Sequence, residues 1–291
     1  MLHTIQNSQL TVTVEEAGAQ LRSILGADGI EYLWQGDARY WKDRAPNLFP
    51  YVGRLKEGHY YVDGQIHRMQ IHGIAPYKDF RLIYNDGSRM VLELTDDAQT
   101  RSQYPRQFAF RVIYRLDADT LHICYEVENR DSKTMYFGLG GHPGFNIPLI
   151  PGKAFEDYRL RFGEVTDCRE VILTPDCFVT DQTRPFALEN GTTLPLRHTL
   201  FDNDAIVLTQ MARSITLETD GDRHGVTVTY PQMPYLGLWH CPKTDAPYVC
   251  IEPWCSLPSG TEVTVLEEKK DLLSVAPGGL YQNHWSIQIH A

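Results

Sequence analysis

Apolar and polar residues alternate with a period of two along most of this chain. Leu10 to Val14 alternates in this way, as do Phe110 to Leu116, Val226 to Tyr230 and Trp285 to Ile289. In Leu121 to Val127 the apolar residues Leu121, Ile123, Tyr125 and Val127 share one face. A period of two is the mark of a half-buried strand in an antiparallel sheet, because successive side chains point to opposite faces. Turn chemistry falls between the runs. Asp63-Gly64 separates Tyr60–Val62 from Gln65–His67, and Asp86-Gly87 separates Arg81–Tyr84 from Met90–Leu94. Asp-Gly accepts the positive φ angles of a tight hairpin, and Asn190-Gly191 and Asp220-Gly221 mark further turns. Only two short helices are predicted, Asp37 to Asp43 and Thr95 to Gln103, the second stopped by Pro105. Closely spaced strands without intervening helices exclude βαβ units and predict an all-β fold, a large antiparallel β-sandwich. The Pro- and Gly-rich stretch from Ile147 to Tyr158 reads as a long loop. Strand patterning resumes beyond it in the same style, so a single domain over residues 1–291 is expected.

Composition narrows the possible functions. Hydrophobic residues make up 42% of the 291, enough for a large core, and charged residues 22%. The formal net charge is −10, with no basic run. That opposes binding to phosphate backbones or anionic membranes, both of which need clustered Lys and Arg. No apolar stretch approaches a membrane span, and Met1 to Leu10 lacks a signal-peptide core, so a cytoplasmic protein is expected. The six cysteines form no compact framework and are expected to be reduced thiols.

Among eleven histidines, His3, His198, His284 and His290 sit in polar or terminal contexts that suit structural or surface roles, and His122 falls on the polar face of a strand. His72 and His142 differ. Gly73 follows His72, and His142 follows Gly140-Gly141 and precedes Pro143. Small neighbours let a ligand approach the backbone closely, although a lone histidine is more often structural than functional. Glu252 is the carboxylate of interest. It ends the apolar run Tyr248 to Ile251 and must be paired, hydrogen-bonded or used. Trp239 and Trp254 offer flat apolar surface for the C–H faces of a sugar, or simply core packing. Arg54, after Asn47 to Gly53, can donate several hydrogen bonds to hydroxyls or form a salt bridge. Asp202 and Asp204 precede an apolar run and suit either hydroxyl binding or a polar turn. No metal site is expected, because neither a paired C-x-x-C nor an HExxH helix occurs. No nucleotide cofactor is expected either, because glycine-rich phosphate loops are missing, and no G-x-S-x-G elbow is present.

Together, Asn47 to Arg54, Ile71-His72-Gly73, Gly140 to Asn146, Asn203-Asp204-Ala205, Pro234 to Trp239 and Ile251 to Trp254 resemble the aldose 1-epimerase (galactose mutarotase-like) family, in particular its bacterial LacX-like branch. The resemblance covers nearly the whole chain. It implies a large antiparallel β-sandwich with a sugar cleft on a concave face. It also implies a general acid at His142, a general base at Glu252, and sugar-binding roles for Arg54 and His72. The sugar-binding aspartate falls on Asp204, with Asp202 as the competing choice. One departure stands out. Mutarotases proper carry Tyr-Phe-Asn around the catalytic histidine, where this chain has Pro143-Gly144-Phe145-Asn146.

The expected chemistry is ring opening and closure of an aldose. Glu252 takes the proton of the anomeric hydroxyl, His142 protonates the ring oxygen, and C1–C2 rotation precedes closure. The two side chains are expected to face each other across a pocket one pyranose wide, with the Glu252 charge raising the His142 pKa. The only partner expected is a small-molecule sugar, with the protein a monomer or homodimer. Three rivals stand beside this reading. One is a sugar-binding module without turnover. Another is a glycoside hydrolase, which needs two carboxylates. The third is a hexose-6-phosphate epimerase, for which Arg68 or Lys78 would supply cations.

Overall fold

A computed structural model describes residues 1–291. Two large antiparallel sheets dominate. The first has nine strands in the order Thr193–Pro195, Tyr158–Phe162, Ser214–Thr219, Gly225–Thr229, Leu280–His290, Thr120–Asn129, Phe108–Asp117, Arg89–Thr95 and Arg81–Asn85. The second runs Val179–Pro185, Arg169–Leu173, Ile206–Thr209, Tyr235–Trp239, Tyr248–Trp254, Gly140–Gly141 and Asn47–Leu48, with Gly144–Asn146 also paired to Tyr248–Trp254. Strands from either side of the loop at 147–158 occur in both sheets. One small sheet contains a parallel strand pair, Thr264–Val265 with His59–Val62.

The alternation read from the sequence is the packing pattern. Leu121, Ile123, Tyr125 and Val127 are all fully buried and belong to one core of 66 residues shared by both sheets. Polar contacts cross that core where large side chains carry hydroxyls. Tyr125 donates to Asn47 Oδ1 at 2.8 Å, and Tyr114 donates to the Ala19 carbonyl at 2.7 Å, so burial leaves neither phenol unsatisfied. The Asp63-Gly64 hairpin forms with φ of 50° and 71°, and Val62 pairs with Gln65.

The two helix expectations fared differently. A helix spans Ala98–Gln103; it begins after Thr95 because Asp97 caps it reciprocally with Thr100. Asp37 to Asp43 is not helical. Asp37 accepts backbone hydrogen bonds from Tyr40 and Trp41, both at 3.0 Å, to make one turn. The Trp34 indole N–H then binds the Trp41 carbonyl at 2.9 Å and folds the segment back. No helix is long and apolar enough to cross a membrane.

Candidate active site

Register decides which residues of the second sheet face the core. In Tyr248–Trp254, Val249 and Ile251 point into the shared core, while Tyr248, Cys250, Glu252 and Trp254 point to the opposite face. Gly237 and Trp239 point the same way from the neighbouring strand, with Gly237 paired to Glu252. Gly140 pairs with Trp254 and Gly144 with Cys250, which sets His142 opposite Glu252. The ladder is broken at this point. Ile251 N–H donates to the Pro143 carbonyl and Cys255 N–H to Leu139, while the intervening residue, Pro253, has no N–H to donate. The register nevertheless runs unbroken from Gly140–Trp254 to Gly144–Cys250, which keeps His142 directly across from Glu252.

On this face lies a cleft of about 690 Å³ lined by His142, Glu252, Arg54, His72, Asp204, Trp239 and Trp254, among others. All six residues nominated for catalysis and sugar binding therefore meet. Asp202 lies elsewhere, beside His198 and Lys243 on another surface, which leaves Asp204 as the aspartate of the cleft. Arg68 and Lys78 do not line it; Lys78 is held by Asp97 and Gln99. A larger groove of about 760 Å³ lies on the far side of Pro258 and contains none of the nominated residues.

His142 Nε2 sits 3.2 Å from Glu252 Oε2. The expected pyranose-wide gap between them is thus absent, and the two groups touch. Both are buried, at 8% and 1% exposure. The expected upward shift of the His142 pKa is also reversed. Burial, with His72 nearby, holds His142 well below the ordinary imidazole value, and burial, with the Asp204 charge adding, pushes Glu252 well above the carboxylate range. Desolvation of charge outweighs the attraction that the sequence reading had assumed to dominate. Both shifts favour the neutral pair, a carboxylic acid beside an imidazole, over the charged one.

His72 is held in the left-handed region, φ 65°, by reciprocal bonding to Gly53. Its backbone N–H donates to the Gly53 carbonyl at 2.9 Å, and its Nδ1 accepts from the Gly53 N–H at 3.2 Å. An Nδ1 that accepts leaves the proton of the neutral ring on Nε2. Burial and Arg54 lower its pKa to about 4, so the ring is neutral at pH 7. Its edge meets His142, with centroids 5.4 Å apart at 87°.

Sequence reasoning missed Trp41, which stacks on His142 at 4.8 Å and 29°, while Trp239 meets the same ring edge-on at 5.7 Å. A tryptophan in a polar turn was the available signal. Also missed was the use made of the glycines. A Cβ on Gly140 or Gly237 would lie 2.7 Å from the Trp254 indole, and one on Gly141 would lie 2.5 Å from Trp285. These glycines make room for indole rings rather than for the approach of a ligand to the backbone. Two buried polar atoms of the cleft residues, His142 Nδ1 and Trp254 Nε1, have no protein partner. His142, Cys250 and Glu252 place donor atoms within 4.8 Å of one another, an arrangement that spacing within one strand could not reveal. Burial raises both the Cys250 thiol and the Glu252 carboxyl, which favours their protonated forms and opposes cation binding.

Comparison with known proteins places the chain. The family model for aldose 1-epimerase matches residues 1–288, and the chain belongs to that family. It is 34% identical over 297 residues to the chromosomal protein LacX of Lactococcus lactis, with 98% of each chain covered. A galactose mutarotase related enzyme from Lactobacillus acidophilus superposes with a TM-score of 0.94 at 32% identity, covering 100% of this chain and 98% of that one. A galactose mutarotase-like protein from Lactobacillus casei gives 0.94 at 29% identity, with 100% of both chains covered. The fold is accordingly the galactose mutarotase-like β-sandwich.

Proposed function

We propose that the protein interconverts the α and β anomers of an aldose by acid–base ring opening and closure, with His142 and Glu252 as the proton carriers. The observation that supports this most strongly is the 3.2 Å contact between them at the cleft wall, within a ring of hydroxyl-binding and aromatic groups. The charged arrangement (carboxylate and imidazolium) and the neutral one (carboxylic acid and imidazole) contain the same number of protons. Opening consumes the charged arrangement: Glu252 accepts the O1 proton and His142 gives one to the ring oxygen. That leaves the neutral arrangement, which closure requires, since the carboxylic acid returns a proton to O1 and the imidazole removes one from the opened O5 hydroxyl. Burial favours the neutral form, and the hydroxyls of a bound sugar supply the polar contacts that the charged form lacks. Arg54 and Asp204 face the sugar hydroxyls, His72 donates through Nε2, and Trp239 and Trp41 offer apolar surface to C–H faces.

Polarimetry or NMR exchange on a panel of free and phosphorylated hexoses tests this reading. Acceleration of anomer exchange for at least one sugar is the expected result. Sugar binding without acceleration would instead select a non-catalytic carbohydrate-binding protein.

A further inference from the structure

Asp204 has a backbone φ of 77° and lies two residues before the first residue of the strand Ile206–Thr209. Its Oδ1 accepts from the next backbone N–H, Ala205, at 2.9 Å. Its Oδ2 accepts from the Cys177 thiol at 3.0 Å, while Arg54 Nη2 stands 4.0 Å away, beyond hydrogen-bond range, on a side chain 52% exposed. The second carboxylate oxygen is therefore held by sulfur rather than by the guanidinium. Terminal carboxylate torsions are soft, so a donor on that oxygen fixes which edge of the group faces the cleft.

The placement of Cys177 is built into the sheet. It lies at φ 64° in the turn that joins Arg169–Leu173 to Val179–Pro185. Three bonds close the turn: Thr174 N–H to the Phe178 carbonyl at 2.8 Å, Cys177 N–H to the Thr174 carbonyl at 2.8 Å, and Phe178 N–H to Thr174 Oγ1 at 3.1 Å. The turn is tied to the loop under Arg54, because Val179 N–H donates to Ser259 and Ser259 N–H donates to the Arg54 carbonyl. Lys56 over the Phe178 ring, 4.5 Å from its centroid, adds a further tether. Burial and the Asp204 charge push the thiol up to about 11, which leaves it a donor at neutral pH.

We propose that Cys177 is a positioning residue: its thiol orients the Asp204 carboxylate and thereby sets the affinity of the cleft for sugar hydroxyls. This rests on the reading of Asp204 as a sugar-binding group, and the experiment separates the two ideas. C177A, C177S, D204N and the C177A/D204N double variant are compared by steady-state mutarotation of D-galactose and D-glucose. Tryptophan-fluorescence titration reads binding directly, and thermal melts confirm folding.

Loss of one hydrogen bond to a charged group predicts that KM rises about five- to tenfold in C177A, with kcat changed less than about twofold. C177S, which keeps a hydroxyl donor, recovers most of the loss. D204N raises KM at least as much as C177A, and the double variant matches D204N alone, because the thiol acts only through that carboxylate. KM unchanged in C177A, or additive effects in the double variant, overturns the positioning role while leaving Asp204 in place. KM and binding unchanged in D204N overturns the assignment of Asp204 itself, and the positioning role with it.

Discussion

At the scale of single residues, the proposed chemistry turns on the proton state of His142 and Glu252. Glu252→Gln and His142→Ala are each expected to slow anomer exchange by about 10²-fold or more, the usual contribution of a positioned proton carrier, as read by polarimetry under saturating sugar. The pH profile should be bell-shaped. The alkaline limb reports loss of the pair's proton and lies well above the ordinary carboxylate value, because burial raises Glu252. The acid limb reports gain of a second proton and lies well below the ordinary imidazole value, because burial lowers His142; protonation of His72 near pH 4 adds to it. A profile centred instead on an unperturbed histidine would show that the cleft does not desolvate the pair in solution.

At the scale of elements, the site follows from the register in which Gly140–Asn146 meets Tyr248–Trp254. Pro253 removes a donor from a central strand, and the segment opposite keeps its register across the gap, which sets His142 against Glu252. On the strands to either side of Tyr248–Trp254, Gly140 and Gly237 form a bed for the Trp254 indole. Gly237→Ala puts a methyl group 2.7 Å from that ring, so overpacking should cost about 1–3 kcal/mol of stability and slow exchange as well. Urea unfolding and polarimetry on the variant check both effects. Much of this scale was legible in the sequence. The alternation in Thr120–Asn129 and the Asp-Gly hairpins follow from local rules that tertiary packing does not override. The turn at Asp37 to Asp43 was misread as a helix because its shape comes from packing between Trp34 and Trp41, and a local pattern carries no trace of that packing. Likewise, His142 and Glu252 were found as candidates, but their contact depends on the register between two distant strands, and their protonation depends on burial.

At the scale of the whole molecule, the same buried groups make stability depend on pH from both sides. His72 has a pKa of about 4 in the fold against an ordinary 6.5. Between those values the unfolded chain binds the extra proton, and stability falls as pH drops. His142 acts in the same direction. Glu252 acts in the opposite one. Above pH 4.5 the unfolded chain has released a proton that the fold retains, so its contribution is lost as pH rises. Glu252→Gln should therefore flatten the alkaline side of the stability curve and raise Tm above neutral pH, with the acid side kept. Melting curves across pH for both proteins decide this; an unaltered alkaline slope would mean that the buried carboxyl is already ionised.

The contact between His142 and Glu252 carries a consequence for how the protein meets its surroundings. If opening and closure only shuttle the pair between two isomers of one protonation state, each cycle returns the donor and acceptor ready for the next. Nothing need be exchanged with bulk water between turnovers. Anomer exchange by the protein should then be indifferent to the concentration of buffer, whereas the uncatalysed reaction beside it, which borrows its acid and base from solution, should quicken as buffer is added.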